Sequence, residues 1–455
     1  MTWTEEEPMK TLFESSVILV LLLGVSSCQV LKIERVEGPG PRSGDIYKEF
    51  RAVTGGWPHW AIIDPQAKHK RAHDYLPNSV FHVSIDDLAD AVKAEVLIDR
   101  WGGHVGTVGK KIRFNGKEWI DLPELTTTPS GHDSVCYMSQ DNPVLEIPLS
   151  YLNEGSNTFE GLCGDQICHS FGWGEWGLYG IIIRVYYRPG KPHPHGEIVF
   201  PRSGATLQEN PTVKAEVKSK SGIEQVDFLA YYEGYDESGD GIYQDWHCFY
   251  HRESDTEPII PISGHLGTAR KSPYVVTWNT DWVPDQKPGS IRMLARIKDE
   301  NGYWHVTDAV RELSLQRQAY SVKMYKPQNV PESFQVRVKR IKSCDIVIPE
   351  ADDLSRAEMA AVHFRSWNGD DNNPLIDGNE WFKFNQCQGK IAGRDHNYAY
   401  TVREVPLSCL RNGKTEISIY SEAGTVYDKD GNLHNTHSIE VLWPGPALTV
   451  RYRSD

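Results

Sequence analysis

The residues best suited to a definite chemistry are aromatic and imidazole side chains: Trp57, Trp60, Trp173 and Tyr179, Trp101 with His104 beside it, and His169 and His437. A sugar ring has apolar C–H faces that stack on aromatic rings, and hydroxyls that need polar partners. A sugar site therefore asks for a Trp or Tyr face with His, Asn, Asp or Arg nearby, and the chain has 14 Trp and 21 Tyr from which to build one. Phosphate chemistry fits less well. Gly172-Trp173-Gly174-Glu175-Trp176-Gly177 matches G-x-G-x-x-G, but that loop cradles a pyrophosphate only where it ends a strand and opens a helix, and Leu178 to Tyr187 reads as a strand. Gly102 to Lys111 is glycine-rich and basic without phosphate-loop spacing, and neither G-x-S-x-G nor H-E-x-x-H occurs.

Metal and thiol chemistry have only weak candidates. Asp236-Glu237-Ser238-Gly239-Asp240-Gly241 begins like a calcium loop, with Asp236 and Asp240 as ligands, but the closing carboxylate is replaced by His247. A solvated turn is the simpler reading; no cofactor is required, and a structural Ca²⁺ stays open. Cys163 and Cys168 are spaced C-x4-C-H, which is neither a haem attachment site nor half of a zinc site. They either close a small local disulfide or stay reduced and buried.

Elements must hold these residues, and composition says which kind. Acidic residues outnumber basic ones 62 to 48, which excludes a nucleic-acid partner, since that needs a basic face. Hydrophobic residues are 39% of the chain, and 27 Pro and 38 Gly break the apolar stretches into short runs; such a chain folds, and into an all-β protein. An internal repeat organises it. Glu146-Ile147-Pro148-Leu149-Ser150-Tyr151-Leu152, closed by Gly155, returns as Glu404-Val405-Pro406-Leu407-Ser408-Cys409-Leu410, closed by Gly413. Arg100-Trp101-Gly102 is matched by Arg365-Ser366-Trp367, Asn115-Gly116 to Trp119 by Asp377-Gly378 to Trp381, and His169-Ser170 with Trp176 by His437-Ser438 with Trp443. Landmarks in one conserved order mean two copies of one domain, residues 70–190 and 328–455. Tryptophans that recur in both copies are expected in the core, whereas Trp57, Trp60, Trp173 and Tyr179 lack counterparts and are the better ligand candidates. His169 and His437 recur together, which fits a shared site or a shared buried hydrogen bond.

Each copy runs strand, Trp-Gly, strand, Asn-Gly turn, strand, Pro-Leu-x-x-Leu, strand, strand. That order resembles the galactose-binding-like jelly-roll sandwiches of carbohydrate-binding modules. Between the copies, Tyr274-x-x-x-Trp278 and Ala295-x-x-x-Asp299-x-x-Gly302 resemble a bacterial immunoglobulin-like domain over residues 196–316, which implies a spacer. The expected fold is two jelly-roll β-sandwich repeats separated by an immunoglobulin-like β-sandwich, with residues 29–69 as a tether or an extension. At the N-terminus, Met9-Lys10, the apolar run Val17 to Val25 and Val25-Ser26-Ser27-Cys28 resemble a bacterial lipoprotein signal over residues 1–28. The apolar run is far short of the roughly 20 residues a spanning helix needs. The resemblance implies export and a lipid anchor on Cys28, with membrane contact through the lipid, at the outer membrane or cell surface. Together these features imply non-catalytic binding of an extracellular polysaccharide on behalf of degradation and uptake proteins. A polysaccharide lyase or glycoside hydrolase on a β-sandwich, and a cell-envelope interaction scaffold, are the alternatives.

Overall fold

The computed structural model describes residues 41–56, 58–125, 133–169, 171–247, 249–250, 262–263, 265–337, 339–368, 380–391, 397–421, 426–427, 433–434 and 438–454. Cys28, Trp57 and His437 lie outside them. Among the described residues the regular elements are β-strands and short 3-10 turns, joined by loops. Alternation does its work where one face meets water: in Val80–Ile85, Phe81, Val83 and Ile85 are buried and the intervening residues exposed. Glu175–Tyr187 is buried along its whole length, as a central strand covered on both faces must be.

The two copies share one strand order. In the first, one sheet runs Ile46–Val53, Glu175–Tyr187, Ala91–Trp101, with Val144–Ile147 beyond, and faces a sheet of Val80–Ile85, Gly155–Leu162, Lys111–Phe114 and Ile120–Asp121. In the second the sequence is Tyr320–Tyr325, Ala447–Arg453, Ala357–Asn368, Asn397–Glu404 against Ile341–Ile348, Gly413–Ser421, Glu380–Phe384, Cys387–Lys390. Each sandwich closes on its own apolar core, Ile98, Ile112, Phe159 and Ile183 in one and Val362, Phe382, Ile417 and Val450 in the other. The repeated Pro-Leu-Ser segments are 3-10 turns at Leu149–Tyr151 and Leu407–Cys409. Each is held by an asparagine at a hairpin turn: Asn115 Nδ2 donates to the Tyr151 carbonyl at 2.8 Å and Asn385 Nδ2 to the Cys409 carbonyl at 2.5 Å. Both asparagines have positive φ, +49° and +52°, a conformation Asn tolerates.

This equivalence corrects one repeat landmark. The counterpart of Asn115 is Asn385, so Asp377-Gly378, outside the described residues, is not the matching turn. Lys111 pairs with Leu162 and Trp381 with Tyr420, so Trp381 matches Lys111 and not Trp119. Neither Trp is core: Trp119 lies under the Arg113 guanidinium at 4.4 Å, and Trp381 stacks on Tyr420.

Within residues 29–69, left by the sequence as tether or extension, Ile46–Val53 and Ala61–Ile63 are strands of the first sandwich. Ile46–Val53 pairs with Glu175–Tyr187 on one edge and with Tyr303–Val306 of the middle sandwich on the other. The middle sandwich, with its own core of Phe228, Trp278, Met293 and Ile297, therefore shares a continuous sheet with the first and is not a detached spacer. Across that shared sheet runs a ladder of buried charge. Asp227 is opposite Arg296, and Glu49, Arg184 and Glu95 are successive cross-strand neighbours. Arg184 bonds Glu49 at 3.2 Å and Glu95 at 3.1 Å, while Arg296 bonds Asp227 at 3.2 Å and lies 3.8 Å from Glu49. Tyr186 donates its hydroxyl to Glu95 as well. Alternating sign lets each charge satisfy its neighbours, the condition on which buried ions are tolerated.

Candidate functional site

The repeats meet through equivalent tryptophans. Trp101 and Trp367 end matching strands, and their rings stack at 4.4 Å with planes 10° apart. Each indole N–H reaches into the other copy: Trp101 donates to Glu440 Oε2 at 2.8 Å and Trp367 to the Tyr179 hydroxyl at 2.5 Å. Trp60 packs edge-on against both and tilts onto Tyr179 at 4.9 Å. Trp60 and Tyr179 are fully buried. Tyr179 covers the stacked pair and does not line the cavity beside it, whereas Trp60 both packs on that pair and lines the cavity.

Beside this stacked pair is a cavity of about 400 Å³, lined by both copies: Trp60, His69, Arg71, Tyr75, Trp101, His104, Phe171, Trp173 and Glu175 from one, Gln335, Arg337, Trp367 and Glu440 from the other. Its aromatic wall is His104 stacked on Phe171 at 4.4 Å, with Trp173 edge-on at 4.9 Å. His104 Nδ1 donates to the Trp173 carbonyl at 3.0 Å, and its Nε2 lies 3.5 Å from Glu175 Oε2. Trp173 Nε1–H donates to the same carboxylate at 3.0 Å. The Glu175 backbone is fixed by the Thr107 hydroxyl, which also donates to the His104 carbonyl. Gly103 allows this close approach: at φ +82° a Cβ would lie 1.8 Å from the Glu175 carbonyl oxygen. Two buried carboxylates, one per repeat, thus face an aromatic wall, with the exposed Arg71 and Arg337 at the rim and the Arg337 guanidinium over Phe171 at 5.5 Å. Chemically, the carboxylates accept hydroxyl hydrogen bonds, the rings take apolar C–H faces and the guanidinia donate to oxygen.

The site loop is pinned by a disulfide that spacing did not suggest. Cys168 pairs with Cys136, 32 residues away, and not with Cys163. Cys163 follows the core strand Gly155–Leu162, buried and with its thiol on the Ile62 carbonyl, so its side chain points inward while Cys168 pairs with Cys136. Replacing Cys136 and Cys168 together by alanine should cost about 2–4 kcal/mol, read as a fall in the urea midpoint. It should also loosen the Phe171–Trp173 wall, read as faster proteolysis after Phe171.

The remaining candidates scatter. His169 is outside the cavity, 3.7 Å from Glu332, and lines a separate 550 Å³ hollow with Tyr137 and Lys342. Asp236 is buried, not a solvated turn; its carboxylate accepts the Gly239 and Gly241 N–H groups at 2.7 Å each and the Ser238 hydroxyl. Asp240 accepts the Ile242 N–H. Among the described residues no group of three or more His, Cys, Asp or Glu is set to hold a metal. The loop instead wedges against the second sandwich, where Tyr235 donates to the Gly445 carbonyl and a Cβ on Gly239 would meet the Arg365 guanidinium at 1.7 Å. Phe171, Glu175, Gln335, Arg337 and Glu440 escaped the sequence reading. Glu175 stood inside the glycine motif set aside as non-nucleotide, the one signal that pointed near it.

No protein-family model and no curated protein matches the sequence. Among solved structures, the fibronectin(III)-like modules of Clostridium thermocellum CbhA align at 12% identity over 56% of this chain and 94% of theirs, with a TM-score of 0.18. A β-porphyranase of glycoside hydrolase family 86 from the gut bacterium Bacteroides plebeius aligns at 10% identity over 58% of this chain, with a TM-score of 0.20. BuGH86 in complex with neoagarooctaose aligns at 9% over 62%, with a TM-score of 0.22. The alignments cover only 38% and 36% of the last two chains. Scores this low leave the fold and the site resting on the chain's own geometry.

Proposed function

We propose that the cavity between the repeats binds a segment of an extracellular polysaccharide without cleaving it, in a protein exported and lipid-anchored through Cys28. The observation that carries the reading is the joining of an aromatic wall, His104, Phe171 and Trp173, to the buried carboxylates of Glu175 and Glu440 in one cavity. A sugar presents the matching pattern of apolar faces and hydroxyls. The two copies build one site together, so affinity comes from a single composite cavity and not from avidity between separate modules. Hydrolysis is a second reading on one specific ground: two carboxylates, one from each repeat, line the same cavity, and glycosidases work with a carboxylate pair.

The test is a polysaccharide array read for binding and, in the same wells, for new reducing or unsaturated ends. Binding without product is expected. Trp173→Ala should weaken it at least about tenfold, as loss of a central aromatic anchor does, and Glu440→Gln should weaken it while leaving the melting temperature within a few degrees of the parent. Product formation abolished by Glu440→Gln would establish the hydrolase, and silence on every glycan would sink both readings. Anchoring is tested separately: Cys28→Ser should abolish incorporation of a labelled fatty acid.

A further inference from the structure

Two basic stretches, one from each repeat, meet the cavity between the repeats at its rim. Lys68-His69-Lys70-Arg71 leads into the 3-10 turn Lys70–Tyr75. Arg337, Lys339, Arg340 and Lys342 join the end of the strand Gln335–Arg337 to the start of Ile341–Ile348. Arg71 and Arg337 line the cavity itself. Each stretch is fastened to the aromatic wall. The His69 ring tilts onto Trp173 at 4.7 Å while its Nδ1 accepts the Arg71 N–H at 3.3 Å, and the His73 ring bonds the Ala67 carbonyl at 2.8 Å, which closes the turn. On the other side the Arg337 guanidinium is over Phe171 and its Nε donates to Gln335 Oε1 at 3.2 Å. The Arg340 N–H bonds the Arg337 carbonyl at 2.9 Å, which folds the second stretch into a tight turn.

Positive charge without a carboxylate partner runs against the composition of a chain with 62 acidic and 48 basic residues. An equally basic run in the first repeat is neutralised in place: Lys110, Lys111 and Arg113 pair with Glu124, Asp121 and Glu160. Among the described residues Lys68, Lys70, Arg71, Arg337, Lys339 and Arg340 are exposed and in no ion pair, and Asp74, the carboxylate of the same 3-10 turn, reaches none of them. Like charges on neighbouring residues repel within a Debye length, about 8 Å at physiological salt, and an anion brought among them relieves that repulsion. The cavity lining has the opposite character. Glu175 and Glu440 are buried there, where they repel an anion and accept hydrogen bonds from hydroxyls. A ligand that suits both regions turns a neutral ring face and hydroxyls inward, onto Trp173 and Phe171, and a negative group outward. A guanidinium fork matches the oxygens of a sulfate or a carboxylate two at a time.

We propose that the polysaccharide is a polyanion, whose sugar ring enters the cavity and whose sulfate or carboxylate substituents are held at the rim by Arg71 and Arg337, with Lys70 and Arg340 adding charge beside them. The assignment rests on the sugar-binding reading of the same cavity and narrows it to anionic glycans.

The test is calorimetry of the full chain on two matched pairs: ι-carrageenan and the same galactan after chemical desulfation, and polygalacturonate and its full methyl ester. The anionic member of at least one pair should bind at least about tenfold tighter than its neutral form, the scale of one charge-assisted hydrogen bond. The pair that shows the difference identifies sulfate or carboxylate as the group recognised. Raising NaCl from about 50 mM to about 500 mM should erode that preference and leave neutral binding within about twofold. Arg71→Ala and Arg337→Ala are exposed changes that should leave the melting temperature unaltered and each remove most of the preference. Lys218→Ala, an exposed lysine on the strand Thr212–Lys218 of the middle sandwich, should not. Trp173→Ala should weaken the anionic and neutral forms alike, which separates a sugar site from simple ion exchange. Equal binding of both members of both pairs would overturn the anionic assignment while leaving the sugar cavity standing. Anion binding that survives both arginine variants and Trp173→Ala would overturn it as ion exchange elsewhere on the surface. No binding to any of the four would also overturn it, and silence on neutral glycans as well would remove the sugar reading beneath it.

Discussion

Replacing Arg184 with methionine should lower the unfolding free energy by about 3–5 kcal/mol, the cost of leaving buried charges without their partner. Arg184 is sandwiched between Glu49 and Glu95, and all three side chains are buried. Without the guanidinium, two carboxylates face each other across the central strand, with Arg296 at 3.8 Å from Glu49 as the nearest remaining cation in the ladder. Methionine keeps most of the side-chain volume, so the loss reports charge and not a cavity. Because the ladder crosses the strand that belongs to both sandwiches, the first and middle sandwiches should lose stability together, in one shifted transition. Arg51→Ala is the control: Arg51 also bonds Glu49, but from a partly exposed position, and should cost no more than about 1 kcal/mol. A loss below about 1 kcal/mol in urea unfolding of Arg184→Met would refute the ladder as a stabilising element.

Stability should fall below about pH 4.5 through one buried glutamate, and three buried carboxylates should lower it between about pH 4 and 7. On the low side the group is Glu49. Burial raises its pKa, but Arg51, Arg184 and Arg296 together outweigh that and hold it at about 2, against 4.5 for a free glutamate. A depressed folded-state pKa gives stability that is complete above about pH 4.5 and lost as pH falls toward 2, about 3 kcal/mol in all. On the high side the groups are Glu237, Asp240 and Asp245, each pushed up to about 7, foremost by burial in the wedge loop and its following strand; Asp236 adds repulsion to the first two and Asp240 to the third. Below about pH 4 the folded and unfolded chains both keep these protons. Between about 4 and 7 the unfolded chain releases them and the native one does not, so stability declines as pH rises through that window. Buried His247, His305 and His363 act in the opposite sense over the same window, because burial holds them at about 4, 4 and 3 and their contribution grows as pH rises toward 6.5. The carboxylate contribution is therefore read by difference: Glu237→Gln with Asp240→Asn should gain melting temperature relative to the parent as pH rises from about 4 to 7, with the difference constant below about pH 4. Parent and variant profiles that stay parallel from about pH 4 to 8 would contradict this account.

Much of this was legible in the residues because it is local. Alternation in Val80–Ile85, the asparagine turn at 115 and the two Pro-Leu-Ser segments each depend on a few neighbouring positions. Their order alone shows that one sandwich occurs twice. Local chemistry also misleads where it is repeated cheaply: Asp377-Gly378 has the composition of a hairpin turn, yet the equivalent turn is at Asn385, where the pairing register and not the dipeptide decides. Cys163 and Cys168 are close in sequence, but one faces a core and the other a loop.

What the sequence determined by itself was the class of the fold, its internal repeat and the kind of residue available for recognition. What only the tertiary structure decided was which of those residues meet. Trp101 and Trp367 stack, Glu175 and Glu440 enter one cavity, and Ile46–Val53 joins two sandwiches through strands more than a hundred residues apart. Contacts at that separation leave no periodic trace in the chain, since they are selected by the summed burial and charge pairing of whole faces and not by any segment's own preference.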